Sequence, residues 1–354
     1  MSNSKVNQHF LPKFYIKKWA NNNIINYYNI KNNSYENYNI KERNKDPFLE
    51  KEFYEGTIYE FNKIENILSN MENSCSLVLS DIIEKFGKFQ TIRITRKEIM
   101  LIKLFLALQW YRNKSSLIKK NNLDGDYLFN ETFKNLNPEE NKISMLNDIV
   151  LLYENYYLKI IRGDFEIYKL FNEDESYNSF SIRYHIKFLF KETYLNFIKL
   201  DNINDNFILN DHISVHIADN ITSTPIIEFM PITPKLCITL NKTTALDCIP
   251  DTCIADYITR KNNPWGFYLL DTYFPEIFSK RNHRVNYIQK HKFNIKDLFI
   301  YDIKFFNSEQ VKLINSLIYS QSILDVIFIN KDDIKNAKVM IEKLNIQRIE
   351  EINR

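Results

Sequence analysis

His9 is the residue of this sequence best placed to do chemistry. It stands in the stretch QHFLPKFYIKKWA, three residues ahead of Pro12. A neutral imidazole there can take or give a proton, or bind a metal through one nitrogen while the other is held. The plainer reading is that it caps the short helix that Pro12 begins. Gln109 and Arg112 come next, at positions i and i+3 of the apolar run IMLIKLFLALQWYR. They therefore leave one helix in the same direction. An arginine on so apolar a helix needs a carboxylate or an anion beside it. That partner is either structural (Glu65, Glu72 or Asp211) or the phosphate of a substrate.

Glu65 and Glu72 are two turns apart less about 20°, on one stripe but about 10 Å from each other. Both cannot bind one metal ion directly, and each also reads as a solvent-facing carboxylate. Asp211 precedes His212 at the end of a β-prone run and is suited to be a base or a metal ligand. His216 would lie about 13 Å from His212 along a strand, which favours an ordinary strand position. Finally, KRNHRVNYIQKHK (280–292) interleaves Arg281, Arg284 and Lys290 with Val285, Tyr287 and Ile288. Cations for phosphates and a tyrosine for stacking suit a nucleic-acid face; a solvated basic edge is the bland alternative.

Composition narrows the field. The 47 basic and 44 acidic residues leave a net charge of +3, too balanced to imply nucleic acid or an anionic membrane by itself. The richness in Asn, Lys and Ile reads as codon bias. Five glycines, at 56, 87, 125, 163 and 266, exclude a P-loop, a GxGxxG turn and a GxSxG elbow. Cys75, Cys237, Cys248 and Cys253 show no zinc spacing, so reduced thiols are expected. The opening MSNSKVNQHF lacks a secretion signal and the most apolar run is too short to span a bilayer. The expectation is a cytoplasmic protein without membrane association.

The elements that must position these residues read as follows. Pro12 opens a short helix, and IINYYNI and SYENYNI flank KNNS as a hairpin. A long helix over 58–86 presents Ile64, Ile67, Leu68, Met71, Cys75, Val78, Leu79 and Ile82 on one face. Thr95 and Glu98 form a capping box that starts the Gln109/Arg112 helix. The polar stretch 119–142 reads as a loop, and helical patterns resume at 143–162 and 178–199. Three strands follow between 206 and 241, then a helix at 307–322, a strand at 325–329 and a charged helical tail. The fold class expected is α+β, predominantly helical, with an N-terminal hairpin and a small mixed or antiparallel sheet in the C-terminal half. One globular domain over 1–335 is expected, helical to about 200 and strand-containing from 201, with 336–354 as a tail.

Several of these stretches carry a resemblance. QHFLPKFYIKKW, EFYE with IENILSNME, LALQWYR, MPITPKLCI and LINSLIYSQSILDVIFI stand in the order of the bacterial domain-of-unknown-function family forty-two thirty-eight, which the chain resembles from about 8 to 335. That family writes Thr-Ser-Asp-x-Pro where this chain has Leu209-Asn210-Asp211-His212-Ile213, so Asp211 is kept and the proline is not. The resemblance implies a shared fold, a prokaryotic source and a shared activity that the family name does not specify. From the residues themselves, the expected function is a metal-assisted nuclease or other phosphoesterase with a toxin or phage-defence role. In it His9, Asp211 and Gln109 would be catalytic, and His9, Asp211, Glu65 or Glu72 would hold Mg or Mn. Arg112 would bind phosphate, while Arg281, Arg284 and Lys290 would guide a polynucleotide. The alternative is a non-enzymatic sensor or protein-interaction module, with the same residues in a structural network.

Overall fold

A computed structural model describes residues 7–42, 46–51, 53–54, 59–112, 138–163, 192–218, 225–242, 283–285 and 298–344, with positions 186, 188–190, 296 and 346. Strand β1 (Asn7–His9) leads through Pro12 into helix α1 (Lys13–Ile16) and a 3-10 turn over Lys17–Trp19. The hairpin β2 (Ile24–Asn29) and β3 (Ser34–Asn39) turns at Asn33, whose φ of 52° suits an asparagine. Strand β4 (Leu49–Lys51) returns to β1, setting His9 against Leu49 and Gln8 against Glu50. Helix α2 (Lys63–Lys88) buries the apolar stripe expected of it. Strand β5 (Thr91–Thr95) runs directly into α3 (Arg96–Arg112). The capping box is present: the Thr95 N–H donates to Glu98 Oε2 at 2.6 Å, and the Glu98 N–H to Thr95 Oγ1 at 3.3 Å.

Helix α4 (Pro138–Leu151), a π-helical stretch over Leu152–Tyr157 and α5 (Leu158–Arg162) pack on α2 and α3. The chain then turns to strands: β6 (Thr193–Leu200), β7 (Leu209–Asn210), β8 (Val215–Ala218), β9 (Pro225–Thr233), β10 (Leu236–Lys242), β11 (His283–Val285) and β12 (Leu298–Phe306). Helix α6 (Ser308–Gln321), strand β13 (Asp325–Phe328) and helix α7 (Lys331–Leu344) complete it. The Asn307 side chain accepts from the Gln310 N–H at 3.0 Å and the Gln310 side chain answers at 2.8 Å, so α6 starts at a full capping box.

This architecture corrects the expectation of a mainly helical chain with a small late sheet. Seven strands form one mixed sheet, in the order β11-β12-β6-β10-β9-β8 with β5 also on β12. A second sheet orders β3-β2-β13-β7, so the N-terminal hairpin is not free-standing but joined to the end of the chain. The physical reason lies in β6 and β12. TYLNFIKL is buried on both faces between β10 and β12, and a doubly buried strand shows a continuous apolar run that imitates a buried helix. The expected helix over 178–199 therefore gives way to strand from Thr193. The loop expected over 119–142 likewise ends in helix, since α4 begins at Pro138.

Candidate acid–base site

The polar residues of the N-terminal half meet where β1, the turn before β4, the first half of α2 and the end of α3 come together. Strand alternation sends neighbouring side chains of β1 to opposite sides. Gln8 is fully buried and its Oε1 accepts the Tyr54 N–H at 2.6 Å. His9 turns the other way, and its Nε2 lies 3.1 Å from Asp46 Oδ2. The Asp46 side chain is 2% exposed and that of His9 20%. Asp46 is held by its own turn, since Oδ1 accepts the Phe48 N–H at 3.0 Å across Pro47. An ionised carboxylate only accepts, so beside one the imidazole donates from Nε2 and, when neutral, keeps its lone pair on Nδ1.

Arg112, the last residue of α3, fixes the backbone of the same unit. Its Nη2 donates to the His9 carbonyl at 2.8 Å, and its Nη1 pairs with Glu72 of α2. The guanidinium is 2% exposed. Burial opposes its charge, yet Glu72 and Tyr54 outweigh that and raise its pKa above the ordinary value. The Tyr54 hydroxyl donates to the Arg112 carbonyl at 3.2 Å and closes the end of α3. Desolvation pushes that phenol up to about 12, so it stays a neutral donor. The charge of Glu65 is felt at Tyr54, which places this residue in the same neighbourhood. Two residues earlier on α3, the Trp110 indole donates to Glu228 Oε1 of β9 at 2.8 Å. The Ser214 hydroxyl donates to the same oxygen at 2.6 Å.

A single family match spans residues 7–333 and so takes in every residue of this cluster. The chain belongs to that family, described as Protein of unknown function (DUF4238). No curated protein and no solved structure matches it.

Within the family region the expected site residues separate. His9, Arg112 and Glu72 are joined by bonds, and Gln109 shares a face of α3 with Arg112. Asp211 belongs elsewhere. Its Oδ1 accepts the Ile323 N–H at 3.3 Å, and the register that sets Val326 against Asn210 brings it beside Asp325. Ile213 in the following turn has a φ of 70°, a conformation that strains a β-branched residue. A proline, fixed near −65°, cannot adopt it. This loop is therefore shaped differently from one carrying the family's Asp-x-Pro.

The residues expected to share a metal ion have separate partners: Asp46 for His9 and Arg112 for Glu72, with Asp211 in the turn that follows β7. Among the described residues, no three His, Cys, Asp or Glu side chains gather closely enough to hold a metal. Arg281, Lys290 and the side chain of Arg284 lie outside the described residues, although the Arg284 backbone pairs with Ile300 in the large sheet. Among the described residues no helix is long and apolar enough to cross a membrane. Cys75 and Cys237 are buried free thiols.

Sequence reasoning missed Asp46, Tyr54, Ser214, Trp110 and Glu228. Only Asp46 left a local trace, the Asp-Pro step of a side-chain-closed turn. The others acquire their roles from residues between 14 and 118 positions away.

Proposed function

We propose that the chain is a hydrolase of phosphoesters, nucleic-acid backbone foremost, in which His9 is the general acid–base and Asp46 its orienting carboxylate. The observation that carries this reading is the 3.1 Å His9–Asp46 contact, with a buried carboxylate behind a partly exposed imidazole. A base steered by a third group is the arrangement such catalysis requires. Nδ1 takes a proton from water as its oxygen attacks phosphorus. The phosphoester P–O bond breaks, and the same proton passes to the leaving oxygen. Asp46 steadies the imidazolium in between. Arg112 serves by fixing the His9 main chain, with both terminal nitrogens committed to protein atoms. The basic stretch 280–292 supports a polyanionic substrate.

That same commitment of Arg112 favours a second reading, a closed structural network in an interaction module. Hydrolysis of single-stranded and duplex nucleic acid and of a nitrophenyl phosphodiester, with and without Mg2+ or Mn2+, separates the two. His9→Ala and His9→Gln should lose about 10²-fold or more in rate with the melting midpoint nearly kept. Wild-type protein inert on all of these substrates, or loss only in proportion to unfolding, returns His9 to architecture.

A further inference from the structure

Arg112 spends two of its three guanidinium nitrogens on Glu72 and the His9 carbonyl. The third, Nε, is buried and has no partner among the described residues, and the same holds for Gln109 Nε2. Gln109 and Arg112 are 1% and 2% exposed. They stand one turn apart on one face of α3, where Cβ atoms are about 5–6 Å apart. The direction of that face is set by its two ends. Phe105, one turn before Gln109, stacks on Tyr15 at a centroid distance of 5.9 Å and packs on Phe14 at 5.7 Å. Arg112, one turn after, bonds the His9 carbonyl. Gln109 is thereby set against the segment between His9 and Tyr15. Buried donors are seldom left bare, and each such group points to a missing acceptor. Two donors on one face, one of them on a cation, ask for an oxygen with negative charge.

We infer that Gln109 Nε2 and Arg112 Nε form an anion subsite that receives a phosphate oxygen beside His9. This rests on the hydrolase reading for its substrate class, but its test is independent of catalysis. The subsite orients the scissile group by hydrogen bonds from the amide and the guanidinium edge, while the imidazole moves the proton.

The probe is inorganic phosphate, titrated calorimetrically into the full chain, with acetate as a second anion. Phosphate should bind, and more tightly than acetate. Gln109→Met keeps the side-chain volume and removes the donor. It should fold and weaken phosphate by about tenfold, the worth of a hydrogen bond to a charged group. No phosphate binding by wild type, equal binding by Gln109→Met, or preference for acetate overturns the subsite. A Gln109→Met protein that is less stable but binds as before shows a buried water only, and also overturns it. His9→Gln should bind phosphate like wild type. If it does and hydrolysis survives in it, the subsite stands and the acid–base reading falls. If hydrolysis is lost there while Gln109→Met binds normally, the reverse holds.

Discussion

Two regions of this protein bury carboxylates in opposite ways. Around His9, two buried or half-buried carboxylates face basic groups: Asp46 faces the imidazole and Glu72 the guanidinium. Around β7, β9 and β13 the carboxylates face neutral donors instead. Glu228 receives Ser214 and Trp110, and burial still pushes it up to about 7. Asp325 receives Asn29 at 3.0 Å, and burial together with the charge of Asp211 also raises it to about 7. The difference teaches that burial alone does not decide the state of an acid; its partner does. A guanidinium or imidazole partner fixes geometry, whereas neutral donors leave Glu228 and Asp325 to trade their protons near neutrality.

Removing the cation is the most severe way to break this comparison. Arg112→Ala should lower stability by about 3–5 kcal/mol, because the Glu72 carboxylate and the His9 carbonyl lose their partner. Urea titration reads it, and a loss under about 1 kcal/mol would mean that the pair is effectively solvated.

The neutral-donor region answers to pH. Glu228 titrates at 4.5 when unfolded and near 7 when folded. It is protonated in both states below 4.5, so its contribution is whole there. Between 4.5 and about 7 the unfolded chain has released the proton and the folded chain has not. Stability therefore falls as pH rises through that window, by up to about 1.4 kcal/mol per pH unit, and is flat above it. Glu228→Gln should remove that slope in denaturation midpoints measured from pH 4.5 to 7.5. An unchanged slope would show the carboxyl already ionised in the fold.

Asp325→Asn should flatten the same profile from 3.8 upward, with part of the effect belonging to Asp211, whose charge helps raise Asp325. Asp211→Asn should bring Asp325 back down. If it leaves the profile untouched, burial alone raises Asp325. The smallest effect is a control: Asn307→Ala, which removes the α6 cap, should cost about 1 kcal/mol. It should do so equally at every pH from 4.5 to 7.5, because no charge is involved.

What the sequence determined by itself is local. The Thr95/Glu98 and Asn307/Gln310 caps, the apolar stripe of α2, the Asn33 hairpin and the strand at 325–328 are each written in residues a few positions apart. The need of Arg112 for a carboxylate or an anion was legible too, because an arginine amid Leu104, Phe105 and Leu108 is costly without one. Which carboxylate it meets was not. Glu65 and Glu72 share one stripe of α2, and only the approach of α3 selects Glu72. Tertiary structure likewise decided that Asp211 faces Asp325 rather than His9, that Glu228 is buried with neutral donors, and that 193–200 is a strand. Short-range propensity is set by the chain's own next turn, whereas sheet register and the meeting of helix ends are fixed by burying apolar faces against partners far along the sequence. His9 sits at that boundary: its motif marked it as special, and the fold gave it Asp46.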